Sequence, residues 1–208
     1  MNVAPRQEPY DVLLALQHPA GRPRPVTQVR STLITASIQG LREMGWESRY
    51  YAELPPERHL EMKMMTAATW LPLEVGLTHY RACDAMRLSP EEMDRMGQSV
   101  SLRTQKSFVG TLGRAAAGAG ATPWNIFVHV HRIYARMVDG GDHVVYRVGP
   151  KEALIVNFGC PLVDVPYFRT AMVSYYRTIA SMLSNTVYAK PVEKYNRPLT
   201  WGVLISWV

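Results

Sequence analysis

The chain reads as an α+β domain: a helical N-terminal half followed by a β-β-α-β-β unit whose small antiparallel sheet packs on helices. Three observations give that reading. As far as Val138, apolar residues recur at helical spacing, with helix-start and helix-stop residues between the runs. After Asp139–Gly140–Gly141 the period drops to two, in HVVYRVG (143–149) and EALIVNFG (152–159), joined by a Gly149–Pro150–Lys151 turn. One further helical run, DVPYFRTAMVSYYRTIASMLS (164–184), then precedes the strand-like NTVYAKPVEKY (185–195) and TWGVLISWV (200–208).

Residues 1–28 hold Pro5, Pro9, Pro19, Pro23 and Pro25 around one short apolar island, YDVLLALQ (10–17). They are predicted to form a flexible, proline-rich arm. Residues 29–208 then form a single α+β, ligand-binding-like domain. A helix over 29–44 stops at Gly45, and a helical turn covers 47–53. PPERHLEMKMM opens another helix with proline in its first turn. In the run 71–86, Leu73, Leu77, Tyr80 and Asp84 share a face. Ser89, Pro90 and Glu92 make a capping box with proline at the first helical position. The helix they start is expected to run to 116, with Gly97 and Gly110 marking close contacts or bends.

The stretch TPWNIFVHVHRIYARMVDGG (122–141) carries two histidines one residue apart. On a strand, His129 and His131 would face the same side and chelate one metal; on a helix they diverge. Thr122–Pro123 is a helix start and DGG a stop, so a helix over 123–138 is expected. Phe127, His131, Tyr134 and Val138 then form its stripe, and His129 faces elsewhere. His131 reads either as a core histidine with one hydrogen-bond partner or as a polar group in a ligand pocket.

The 208 residues are 47% hydrophobic and 19% charged, a globular composition. The net charge of +6 comes from scattered arginines, so nucleic acid is not the expected partner. Cys83 and Cys160 match no zinc or redox spacing and are read as reduced thiols. No signal peptide opens the chain, and no apolar run approaches the roughly 18 residues of a membrane span, so a cytoplasmic location is expected. The chain has no phosphate loop, zinc-protease motif, nucleophile elbow or paired-carboxylate signature. It is therefore read as a non-enzyme, with no metal and no resident cofactor.

Several phrases carry a resemblance: WLPLEVGLTHYRACDAMRLSPEE, LRTQKSFVGTLGR, TPWNIFVHVHRIYARMVDGG, YRVGPKEALIVNFGCPLVDVPYFRTAM and GVLISWV. Over residues 28–208 the chain resembles a family of bacterial proteins of this length, abundant in myxobacteria. More distantly, it is similar to the heme nitric oxide/oxygen-binding domains and to the 4-vinyl reductase and transport-particle domains. The resemblance implies a fold in which helices and a C-terminal sheet enclose a pocket. Heme-binding relatives use a histidine on the helix before the sheet, and a Tyr-x-Ser-x-Arg clamp on the propionates. Here Tyr134 or a neighbour takes that histidine's place, with His131 one turn away, and the clamp motif does not occur. Two buried propionates without such a clamp are costly.

The expected function is sensory or signalling: binding a small apolar ligand, a protein partner, or both. The pocket candidates are Phe127, His131, Tyr134, Tyr146, Cys160 and Met172; the partner candidates are Tyr10, Leu13, Leu14, Arg147, Tyr167 and Arg169. Two alternatives stand beside it: a ligand-free interaction or scaffolding module, as homodimer or hetero-complex, and a heme-based gas sensor.

Overall fold

A computed structural model describes residues 10–17, 23–104 and 120–208. Strand β1 (Asp11–Leu14) comes from the apolar island of the arm, and β2 (Gln28–Arg30) leads directly into helix α1 (Ser31–Glu43). Helix α2 (Glu47–Glu53), a 3-10 turn and α3 (His59–Lys63) follow, then β3 (Trp70–Pro72), α4 (Leu73–Ala85) and α5 (Pro90–Thr104). The capping box of α5 is present: the Ser89 N–H donates to Glu92 at 2.8 Å, and the Glu92 N–H to Ser89 Oγ at 3.2 Å. The expected course of this helix beyond Thr104 lies outside the described residues.

Residues 123–138 do not form one helix. They break into α6 (Trp124–Phe127) and α7 (Val130–Tyr134), because His129 sits at φ −115°, ψ 10° between them. Val138 and Asp139 leave the helix altogether as β4, which pairs with β2 at Val29 and Gln28. A tertiary strand pairing overrides the local helical pattern there.

The second half is as the period change predicts. Strands β5 (Asp142–Gly149) and β6 (Glu152–Phe158) make a hairpin, helix α8 (Pro166–Ala180) crosses, and β7 (Val187–Pro191) and β8 (Thr200–Trp207) complete the sheet. The strand order is β1-β5-β6-β8-β7, with every neighbouring pair antiparallel. On one face Val145, Ile155 and Val203 join the main core with the helices. On the other, Val144, Tyr146, Leu154 and Val156 pack under Tyr10, Leu16, Val192 and Tyr195. Both faces are covered, which is why most of β5 and β6 is buried.

The helices meet at small residues. A Cβ on Gly97 of α5 would lie 2.4 Å from Ser174 of α8, and one on Gly40 of α1 would lie 3.2 Å from Ser99. Beside the first contact, Asp94 of α5 accepts from Ser174 and Arg177 of α8. This locks the two helices over the sheet.

Candidate functional site

The helix-facing surface of the sheet is apolar through its centre. Val145, Ile155 and Val203 stand opposite one another across β5, β6 and β8. Two residues nearer the sheet end, the facing row is His143, Asn157 and Trp201, each only 2–3% exposed. This row is polar, and its hydrogen bonding is incomplete. Both ring nitrogens of His143, the amide nitrogen of Asn157 and the indole nitrogen of Trp201 have no partner among the described residues. Asn157 Oδ1 accepts from the Tyr176 hydroxyl at 3.4 Å, which turns the amide nitrogen the other way. A buried polar atom left unmade costs about 1–3 kcal/mol. Several of them at one sheet end mark a place that something else completes.

Helix α7 lies over the row. The Tyr134 ring is 5.1 Å from the His143 ring, and its hydroxyl sits against the Cys160 thiol with no oxygen or nitrogen partner. One turn earlier, His131 Nδ1 is also buried and unpartnered. Beneath them is a cleft of about 510 Å³, lined by His131, Tyr134, His143, the Gly140–Gly141 turn and Trp70 of β3. Such a volume suits a cofactor or other small ligand.

The remaining wall of the cleft comes from the arm, through Gln17, Arg24 and Gln28. The Gly141 N–H donates to the Arg24 carbonyl at 2.6 Å and the Val26 N–H to the Gly159 carbonyl at 2.8 Å. The Gln17 N–H reaches Asp142 Oδ1 at 3.2 Å, and the Arg24 guanidinium pairs with Asp139. Gly140 (φ +99°) and Gly141 (φ +71°) are needed here. Their backbone is left-handed, and a Cβ would meet the Pro25 carbonyl at 2.4 Å from Gly140 and the Tyr134 hydroxyl at 2.7 Å from Gly141.

Burial sets the protonation of the site. It pulls the His143 imidazole down to about 4, with Asp142 working against the shift and His131 adding to it. It also lowers His131, helped by the charges of Arg132 and His129. Both rings are therefore neutral at pH 7 and each carries a free lone pair, the form that binds a metal. Burial pushes the Tyr134 hydroxyl and the Cys160 thiol upward, so both keep their protons.

Of the six pocket candidates read from the sequence, the structure brings His131 and Tyr134 to the cleft. Cys160 and Met172 line an inner void of about 20 Å³ behind Tyr134, and Phe127 lines a second void of about 10 Å³. Tyr146 does not join them, since strand alternation turns it to the opposite face of the sheet, among Val144 and Leu154. Among the partner candidates, Tyr10, Leu13 and Leu14 are half-buried along β1, and Arg147 is exposed with its guanidinium 4.7 Å above the Trp124 ring. Arg169 is half-buried and bonds Asn196. Tyr167 is 2% exposed and belongs to the core, so it offers no surface to a partner. The sequence reading missed His143, Asn157 and Trp201. Asn157 had a signal: it interrupts the apolar run of β6 at a core-facing position.

The chain has the fold of the H-NOX domains. A crystal structure of an Fe(II) unliganded H-NOX protein, an alanine-to-glycine mutant from K. algicida, superposes with a TM-score of 0.61 at 9% identity, covering 86% of this chain and 96% of that one. A structure from a study of heme distortion in the H-NOX family gives 0.60 at 10% identity, covering 86% and 94%. An oxygen-binding H-NOX domain related to soluble guanylate cyclases, in its oxygen complex, gives 0.59 at 9% identity, again covering 86% and 94%. No family model matches the chain, and no curated protein does. The expectation of no cofactor is overturned here. The neighbours of this fold include H-NOX proteins described through Fe(II) and through their heme.

The residues can be tested against that cofactor. The inner voids of about 10 and 20 Å³ do not hold a porphyrin, because Tyr134 and Met137 line both, with Tyr176 and Trp201 among the other walls. The outer cleft has the volume, and its two neutral imidazoles have open nitrogens for an iron ion. Among the described lining residues, Arg24 is the one guanidinium for an anionic edge, and it already pairs with Asp139. Among the described residues, no helix is long and apolar enough to cross a membrane.

Proposed function

We propose that this chain is a sensory ligand-binding domain that seats heme in the cleft between α7, the arm and the sheet end. The observation that carries the reading is the pair of neutral imidazoles at a cleft of about 510 Å³: His143, buried with both ring nitrogens unpartnered among the described residues, and the half-buried His131, whose Nδ1 is buried and unpartnered. They are the residues to hold iron, and Arg24 is the residue to meet a propionate. Bound there, heme would supply an iron centre for a small gaseous ligand. Tyr134 and the Gly140–Gly141 turn line the cleft, and Gln17, Arg24 and Gln28 of the arm form its remaining wall.

The test is a hemin titration of the purified full chain, followed by absorbance. A saturable Soret band at one heme per chain is expected, weakened in His131→Ala or His143→Ala and absent from the double variant. A band that never saturates, or one unchanged in the double variant, overturns the reading.

A protein partner is a second reading, favoured by β7. It is the outermost strand on its side of the sheet, and its Tyr188 is 66% exposed. An outer strand offers backbone groups for pairing with another chain. Light scattering across a concentration series tests self-association: a mass that rises with concentration and falls back in Tyr188→Lys supports it, and a constant monomer mass removes it.

A further inference from the structure

Behind Tyr134 the main core is not completely filled. Two voids lie there, one of about 20 Å³ and one of about 10 Å³, and Tyr134 and Met137 line both. Leu33, Val163, Phe168 and Met172 supply most of the rest of the larger one's wall. Asn157 and Trp201 border it too, but almost none of the surface facing the void is polar, and their nitrogens are sealed away from it. A water placed there would find none of the about two to four polar partners it needs, so the void is dry. Its lining atoms lack neighbours across the gap, and an apolar occupant restores those dispersion contacts. The room is that of about one water-sized molecule, which limits the occupant to a diatomic.

We infer that the larger void is a dry docking site for a small apolar gas such as dioxygen. The way in is past Met172, the one half-buried residue in a wall that is otherwise buried. Its unbranched side chain rearranges at little cost. Tyr134 also lines the cleft, so a gas molecule held in the void lies one side chain away from it. The site uses no iron and neither His131 nor His143, so its failure and the failure of heme binding are separate results.

The experiment is NMR relaxation of the methionine methyl groups in the full chain, without hemin, under dioxygen and under the same pressure of dinitrogen. Dioxygen is paramagnetic and speeds the relaxation of nuclei it sits beside; dinitrogen is not and serves as the blank. Met62 and Met96 are the internal references, because they are 2% and 0% exposed and border neither void. Met64, 71% exposed, reports gas free in solvent. The dioxygen enhancement at Met137 and Met172 is expected to exceed that at all three. In Val163→Ile the added methyl group fills the void, and the excess is expected to disappear while Met62 and Met96 are unchanged. Enhancements at Met137 and Met172 no larger than at Met62 and Met96 overturn the assignment on the unmodified protein, whether or not the variant folds. An excess that survives in a folded Val163→Ile overturns the void as its source.

Discussion

Two buried histidines, one in the helical half and one in the sheet, differ in how their ring nitrogens are engaged. His79 of α4, fully buried in the helical half, has both ring nitrogens engaged: Nδ1 with the Tyr50 hydroxyl at 2.9 Å and Nε2 with the Cys83 sulfur at 3.7 Å. Its ring packs edge-on against Tyr50 and Tyr80. His143, 3% exposed at the sheet end, has neither nitrogen engaged. Burial makes both imidazoles neutral, so charge does not distinguish them. The closed network supplies its own partners and belongs to the architecture. The open one leaves valences for something that arrives later.

The sharpest test of that contrast is a pair of substitutions of similar volume. His79→Leu strands the Tyr50 hydroxyl in the core and is expected to cost roughly 2–4 kcal/mol. His143→Leu removes two unanswered nitrogens and is expected to be neutral or to stabilise by about 1 kcal/mol. Urea unfolding of both variants reads the difference, and equal losses would erase the distinction.

Acid is the next largest lever. The unfolded chain takes protons on its histidines below about pH 6.5, whereas the folded state refuses them until about pH 3 at His79 and about pH 4 at His143. The stability these groups confer is complete above pH 6.5 and is lost as pH falls through the window between those values. Between pH 7 and pH 5 each buried ring removes on the order of 2 kcal/mol. In His143→Leu the slope is expected to shrink by about one proton's worth, and an unchanged slope would place that ring in water.

Smaller effects probe the cleft wall. Gly141→Ala puts a methyl 2.7 Å from the Tyr134 hydroxyl on a left-handed backbone, and is expected to cost about 1–2 kcal/mol in a thermal melt. Arg24→Ala breaks an ion pair whose arginine side chain is 62% exposed, and should change stability by less than about 1 kcal/mol. A larger loss from Arg24→Ala than from Gly141→Ala would mean that the wall is held by charge rather than by close backbone contact.

The sequence made the architecture legible wherever the signal was local. The switch of period after Gly141, the turn at Gly149–Pro150 and the capping box at Ser89 each depend on neighbours a few residues away, and each appears in the structure. The helix over 123–138 failed for the converse reason. Val138 is recruited by Val29, more than a hundred positions earlier, and no local pattern records that pairing. The site divides in the same way. His131 and Tyr134 lie one turn apart on α7 and could be read together. His143, Asn157 and Trp201 become neighbours only through the register of three strands, so their proximity is a property of the sheet. The cofactor expectation failed because the clamp motif is a local signal whereas the fold belongs to the whole chain, and Arg24 enters the cleft from a segment far from the sheet in sequence.

The arm segment laid across the two glycines has a consequence for the order in which this molecule assembles. Arg24 and Asp139 are 115 positions apart, and Gln17 and Asp142 are 125 apart, so each contact closes a loop of more than half the chain. Contacts of that separation repay their entropy only once the elements between them are in place. The cleft is thus among the last features to form during folding and the first to open when stability is marginal. A ligand that reached the chain before this segment docked would meet a cleft with one wall missing.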